Sequence, residues 1–161
     1  MTRRFLGIVA IAVFAAACGI PGLPFWPGDS DKGKFEWTVD GRSVKASDNG
    51  KGALRGGGSV FLTGANCGKN EGIGITGLDT MFVGTHPVGG SFNVSANYTE
   101  DSASWEASSR VGSGSLTVSS LSQTRMSGSF AFEMVPAGNA GGSARSVHGS
   151  FDVMFHDDSI C

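Results

Sequence analysis

Apolar and polar residues alternate along two segments near the C-terminal end of the sequence. From Met126 to Met134 every second residue is apolar or glycine, and the segment from Val147 to Phe155 repeats the pattern. The residues between them are mostly Ser, His, Asp and Glu. Such a period of two is typical of a strand that buries one face in an antiparallel sheet. We therefore predict long strands over Thr124–Val135 and Arg145–Phe155.

Shorter segments with the same alternation predict the remaining strands. The first, Phe35–Val39, is followed by Asp40-Gly41, a pair typical of a tight hairpin turn, and by a return strand that begins at Val44. No segment after Cys18 combines a helical period with capping residues. The chain is therefore predicted to be all-β, as an antiparallel sandwich of about eight to ten strands or, alternatively, as a closed lipocalin-like barrel. The other predicted strands are Ser59–Thr63, Gly72–Leu78, Ser91–Glu100, Ser104–Ser108 and Ser113–Leu121.

The tripeptide Gly-Ser-Phe occurs three times, beginning at Gly90, Gly128 and Gly149. In a strand, the glycine and the phenylalanine of this unit share one face, because side chains alternate along the chain. A glycine on the inward face permits a bulge or a close backbone contact. We expect these three glycines to help the sheet curve.

The N-terminal sequence predicts export and a lipid anchor. Arg3 and Arg4 precede thirteen uncharged residues, Phe5–Ala17. This pattern is typical of a secretory signal, and the run is shorter than the roughly 20 apolar residues that cross a bilayer. The segment Ala15–Cys18 resembles the lipobox of bacterial lipoproteins, which implies cleavage before Cys18 and a diacylglycerol group with palmitate-type chains in thioether linkage to its sulfur. The alternative is an ordinary signal peptidase, which releases a soluble protein.

The number of cysteines is consistent with this anchor. If Cys18 carries lipid, Cys67 and Cys161 remain as a pair, and in an oxidising compartment we expect them to form an intramolecular disulfide. Two separate thiols, or a bridge to another chain, are the alternatives. The sequence contains no C-x-x-C motif, which leaves a thioredoxin-like redox role without support.

Cleavage divides the chain into three predicted parts. They are a signal peptide over residues 1–17, a Pro- and Gly-rich linker over 18–34 that begins with the lipidated cysteine, and a single β domain over 35–161. Removal of Arg3 and Arg4 leaves 10 basic and 14 acidic residues, a net charge of −4. Nucleic-acid binding needs a clustered basic surface, so we predict no nucleic-acid partner.

Few residues have the spacing of a catalytic or cofactor site. Gly72–Gly77 matches the letters of the G-x-G-x-x-G dinucleotide motif, but its isoleucines alternate as in a strand and no helix follows, so we predict no cofactor. The candidate bases are His86, His148 and His156. On one strand, His148 and His156 would lie about 26 Å apart, too far to share a metal ion, and we predict no metal site.

Four segments carry a family resemblance: Phe35–Gly41 with its Val-Asp-Gly hairpin, Gly84–Gly89, Met126–Phe132 and His148–Val153. In this order they resemble a group of uncharacterised small all-β bacterial lipoproteins. The resemblance implies a β-rich domain located in the cell envelope. It implies no activity and no catalytic residue.

These features favour a non-enzymatic binding or accessory module, held on the membrane through Cys18, with an envelope protein or glycan as its partner. Gly19, rather than an aspartate, follows the cysteine, which resembles the sorting pattern of outer-membrane lipoproteins. One alternative is a carrier that holds a small hydrophobic ligand inside a barrel. Another is a hydrolase of envelope polymers that combines His148 or His156 with acidic residues.

Overall fold

The computed structural model describes residues 33–47, 50–138 and 142–156, and nearly every regular element in them is a β-strand. One short 3-10 turn, Cys67–Lys69, separates the fourth strand from the fifth. The prediction of an all-β fold is confirmed. The strands are β1 Lys34–Val39, β2 Arg42–Lys45, β3 Lys51–Gly56, β4 Ser59–Asn66, β5 Glu71–Leu78, β6 Gly84–Pro87, β7 Ser95–Glu100, β8 Ala103–Ala107, β9 Ser113–Leu121, β10 Arg125–Pro136 and β11 Arg145–His156.

The strands form two layers that are joined through the two longest strands. Sheet I has the order β2-β1-β11-β10-β9-β6, and sheet II has the order β3-β4-β5-β7-β8. The end of β10 leaves sheet I and pairs with β8 through Val135 and Pro136. The end of β11 pairs with β3 through Phe155 and His156. Because β10 also pairs with β11, hydrogen bonds close a ring, and the fold combines features of a sandwich and a barrel.

The structure corrects three details of the predicted sheet. The described residues form eleven strands rather than eight to ten, because Lys51–Gly56 and Gly84–Pro87 lack a clear alternation yet pair with their neighbours as β3 and β6. The pairing of β11 with β3 is parallel rather than antiparallel. The strand predicted over Ser91–Glu100 begins only at Ser95, after a turn in which Asn93 has a φ of 50°.

Aromatic side chains fill the centre between the two sheets. The ring centroid of Phe35 lies 6.1 Å from that of Trp37, 5.8 Å from that of Phe130 and 6.1 Å from that of Phe151. None of these four side chains is more than 4% exposed. Inward-facing residues of both sheets join them in one apolar cluster. Burial of this apolar surface, at about 25 cal/mol per Å², is the main force that holds the two layers together.

Two of the repeated glycines lie where strands of sheet I approach each other closely. A Cβ atom at Gly128 would overlap the carbonyl oxygen of Thr117, and one at Gly149 would overlap the carbonyl oxygen of Glu36. The register between β10 and β9 also shifts at Gly128, which marks a bulge. The expected close backbone contact is therefore present at both positions, and the expected bulge at Gly128. Gly90 instead lies outside the strands, between β6 and β7.

We predict that Gly149→Ala destabilises the domain by about 1–3 kcal/mol, because the added methyl group forces β1 and β11 apart. Gly56→Ala is the matched control, since a Cβ atom there meets nothing within 4 Å. The control is expected to change the free energy of unfolding by about 0.5 kcal/mol or less. Urea unfolding of both variants checks this, and equal stabilities would contradict the close contact at Gly149.

Candidate functional site

The outward side of sheet I carries mostly small hydroxyl side chains. Strand alternation places them opposite the buried aromatic residues, and cross-strand pairing aligns them in two rows. We call this surface the hydroxyl face. Its first row is Lys45, Glu36, Ser150, Ser129, Thr117 and Thr85, and its second row is Ser43, Thr38, His148, Ala131, Ser115 and Pro87.

A groove of about 680 Å³ crosses the hydroxyl face above β2, β1, β11 and β10. Ser129, His148 and Ser150 are among the residues that line it. A shallower depression of about 380 Å³ lies above β9, β10 and β11 and also includes His148. His148, which is exposed, therefore lines both depressions.

Charge on the hydroxyl face is sparse and of both signs. Lys45 Nζ lies 3.8 Å from Glu36 Oε1, and both side chains are largely exposed, so this ion pair adds little stability. Near the other edge, the hydroxyl groups of Thr85 and Thr117 are hydrogen-bonded at 3.0 Å. Such a surface offers donors and acceptors in about equal supply to a polar, uncharged ligand.

The two histidines whose side chains are described lie on opposite faces of sheet I. His86 is 2% exposed and faces inward, between the rings of Phe82 and Phe92. Its Nε2 lies 2.7 Å from the carbonyl oxygen of Phe82. Since a carbonyl oxygen can only accept a hydrogen bond, Nε2 is the donor. His148 faces outward, and its direct cross-strand neighbours are Thr38 and Ala131. The two imidazoles therefore do not belong to one site.

A second polar feature closes the end of the domain at which β1 turns into β2. We call it the charged network. Its centre is Glu71, which is 4% exposed. Arg42 donates to both carboxylate oxygens of Glu71, at 3.0 and 2.8 Å, and the Tyr98 hydroxyl donates to one of them at 2.7 Å. The network consists of Asp40, Arg42, Glu71, Tyr98, Glu100 and Arg145.

The outer part of the charged network joins strands that are distant in sequence. Glu100 accepts a hydrogen bond from Arg42 at 2.6 Å and one from Arg145 at 3.3 Å. Arg145 also donates to Asp40 at 2.7 Å and lies 4.7 Å above the ring of Trp105. Every charged group of the network therefore has at least one partner of opposite charge, which is typical of a structural cluster.

The protonation states in the charged network follow from these contacts. Burial by itself raises the pKa of Glu71, but the hydrogen bonds from Arg42 and Tyr98 outweigh it and hold the pKa below the ordinary value. Burial and the hydrogen bond to Glu71 raise the pKa of Tyr98. Glu71 is therefore a carboxylate with bound donors and Tyr98 a neutral phenol, an arrangement that stabilises structure and is poorly suited to proton transfer at neutral pH.

The charged network was not predicted from the sequence. One signal was available, because Glu71 has the same parity as the inward-facing Ile73 and Ile75 of β5, and an acid on an inward face requires a partner. Which arginine supplies that partner depends on the topology, since Arg42 and Glu71 are 29 residues apart.

Three further sequence predictions have the following outcomes. Gly72–Gly77 lies within β5, so the prediction that it is a strand and not a dinucleotide-binding turn is confirmed. Cys67 begins the 3-10 turn after β4, where its backbone N–H donates to the Ser47 hydroxyl at 3.1 Å. Cys18 and Cys161 lie outside the described residues, so the lipid anchor and the pairing of Cys67 with Cys161 stay predictions.

Within the described ranges, no three His, Cys, Asp or Glu side chains are grouped so that they could hold a metal ion. The same part of the chain contains no helix that is long and apolar enough to cross a membrane.

We predict that Glu71→Gln destabilises the domain by about 2 kcal/mol at neutral pH, because Arg42 loses its buried counter-charge. Since the pKa of Glu71 is lower in the folded chain, its ionised form stabilises the fold above about pH 4.5, the ordinary value, and this contribution is lost as the pH falls further. The difference from the wild type is therefore expected to shrink in acid.

Urea unfolding at neutral pH and in acid measures this difference. Glu133→Gln, an exposed acid on β10, is the control and should change stability little at either pH. A Glu71→Gln variant as stable as the wild type at neutral pH would contradict the role assigned to the charged network.

Comparison of the chain with protein-family models, with curated proteins and with solved structures found no match.

Proposed function

We propose that this chain is a lipid-anchored, non-enzymatic binding module of the cell envelope, and that it binds an envelope glycan through the hydroxyl face. The observation that carries the proposal is a pair of outward cross-strand rows in which seven of the twelve residues carry a hydroxyl group, beside a groove of about 680 Å³. The anchor is Cys18, and residues 18–34 link it to the domain.

The spacing of the hydroxyl groups suits a polymer with many hydroxyl groups of its own. Neighbouring strands place successive hydroxyls about 4.8 Å apart, and each can both donate and accept. The groove is open along the sheet, whereas sites for small molecules usually enclose most of their ligand. An extended glycan strand can lie across such a surface and exchange hydrogen bonds with several residues at once.

The packing of the domain favours a surface ligand over one that is carried inside. The space between the sheets is occupied by Phe35, Trp37, Phe130 and Phe151 and by the apolar cluster around them. A carrier needs an interior cavity, so this hypothesis is the weaker one.

The positions of the histidines favour binding over hydrolysis. His86 is buried and held by the carbonyl oxygen of Phe82, and His148 faces away from it on the other side of sheet I. The side chain of His156, the third candidate base, lies outside the description. A hydrolase would need a base beside a nucleophile or an activated water.

We predict that Ser150→Trp abolishes binding of the purified protein to isolated envelope glycan, because the indole fills the groove. The control is Thr63→Trp, an outward position of β4 in sheet II. Both changes are on solvent-facing positions, so each should alter stability by roughly 0.5 kcal/mol or less. Co-sedimentation with the glycan measures binding, and equal binding by the two variants would contradict the proposed surface.

A further inference from the structure

The large apolar side chains that the described domain exposes lie close to one end of it. Phe82 is 59% exposed, Val83 is 56% exposed and Met154 is 36% exposed. Phe82 and Val83 are neighbours in the loop between β5 and β6, and Met154 lies on the outward face of β11 near its end. Adjacent exposed apolar side chains such as Phe82 and Val83 mark a contact surface, and Met154 lies at the same end of sheet I, three strands away.

The strand register shows that this end is also where the described chain begins. Strands β1, β10 and β6 run in the same direction. Strand β11 lies between β1 and β10, β9 lies between β10 and β6, and all four pairings are antiparallel. Phe82 and Val83 directly precede β6, and Met154 pairs with Arg125, the first residue of β10. One row of pairs across sheet I connects the starts of β6 and β1: Gly84, Val118, Gly128, Phe151 and Phe35.

The exposed aromatic ring is held in place by the fold. Phe82 packs edge-on against His86, at 5.2 Å between ring centroids, and against Phe92, at 5.3 Å. His86 is fixed in turn by its hydrogen bond to the Phe82 carbonyl oxygen. The loop therefore presents more than half of a large apolar ring to solvent without collapsing onto the core, although burial would be favourable.

We propose that this end of the domain, which we call the apolar tip and define by Phe82, Val83 and Met154, contacts the lipid bilayer that holds the anchor. The inference rests on the proposed function, because Cys18 is the anchor. Only 14 residues lie between Cys18 and Gly33, and the 15 Cα–Cα steps reach about 50 Å when extended. The tether thus delivers the apolar tip to the membrane at high effective concentration.

A bilayer is the occupant that this geometry favours. Aromatic side chains are favoured at the membrane interface, and an acyl anchor is strengthened by a second apolar contact. With the apolar tip on the bilayer, the strands of sheet I rise away from it and the hydroxyl face stands clear of the lipid. In this one orientation of the domain, the anchor reaches the bilayer and the proposed glycan-binding surface stays accessible.

The test is quenching of tryptophan fluorescence by brominated lipids. Phe82→Trp and Val83→Trp report from the apolar tip, and Lys69→Trp reports from the opposite end, in the turn before β5. All three reporter variants also carry Trp26→Phe. Trp37 and Trp105 are buried and give a constant background. The purified protein is reconstituted in brominated phosphatidylethanolamine and phosphatidylglycerol vesicles. We expect several-fold greater quenching at position 82 or 83 than at position 69.

A second tether separates this inference from the anchor on which it rests. In the second tether, the Cys18→Ser variant carries a hexahistidine tag before position 18, and this tag binds nickel-chelating lipid in the same vesicles. Separately, the intact mass of the native protein shows whether it is acylated. If the native protein is acylated but quenching is equal and weak at positions 69, 82 and 83, the bilayer contact is overturned. The apolar tip would then be a surface for a protein partner. Strong quenching at position 82 on the nickel lipid, without acyl mass on the native protein, would support the contact and overturn the anchor.

Discussion

The long antiparallel pairing of β10 with β11 holds the two sheets of the domain in one arrangement. Ten consecutive residue pairs hold it in register, from Arg125 opposite Met154 to Met134 opposite Arg145. Each strand then continues past this pairing to a neighbour in sheet II, at β8 and at β3. Because a shift of one residue would exchange the inward and outward faces, this single register determines the core and the hydroxyl face together.

The same two strands explain why the candidate site and the core are inseparable. Phe130 and Phe151 face inward and pack against Phe35, while Ser129 and Ser150 face outward into the groove. Gly149, on the inward face between them, lets β1 approach β11 closely. The charged network then closes the end at which the hairpin of β1 and β2 meets β5, and the apolar tip lies at the opposite end.

Much of the fold was predictable from local pattern, and the rest depends on contacts between distant segments. The alternation in β10, β11 and β1 is strong because each buries one face, and Gly72–Gly77 was correctly assigned to a strand. The short β3 and β6 were missed because the Gly and Pro residues of KGALRG and GTHP interrupt any period. The pairing of Arg42 with Glu71 was missed because only the topology brings them together. His86 was a candidate base by residue type, yet its parity in β6 places it in the interior.

We propose that the hydroxyl face, and not another surface of the domain, binds an envelope glycan. Amide chemical-shift mapping by NMR, as soluble glycan fragments are added to the protein, tests this proposal. We expect shifts concentrated on β1, β9, β10 and β11, with those of Ser129, His148 and Ser150 among the largest. Shifts confined to sheet II, to the charged network or to the apolar tip would contradict it, as would no shifts at all.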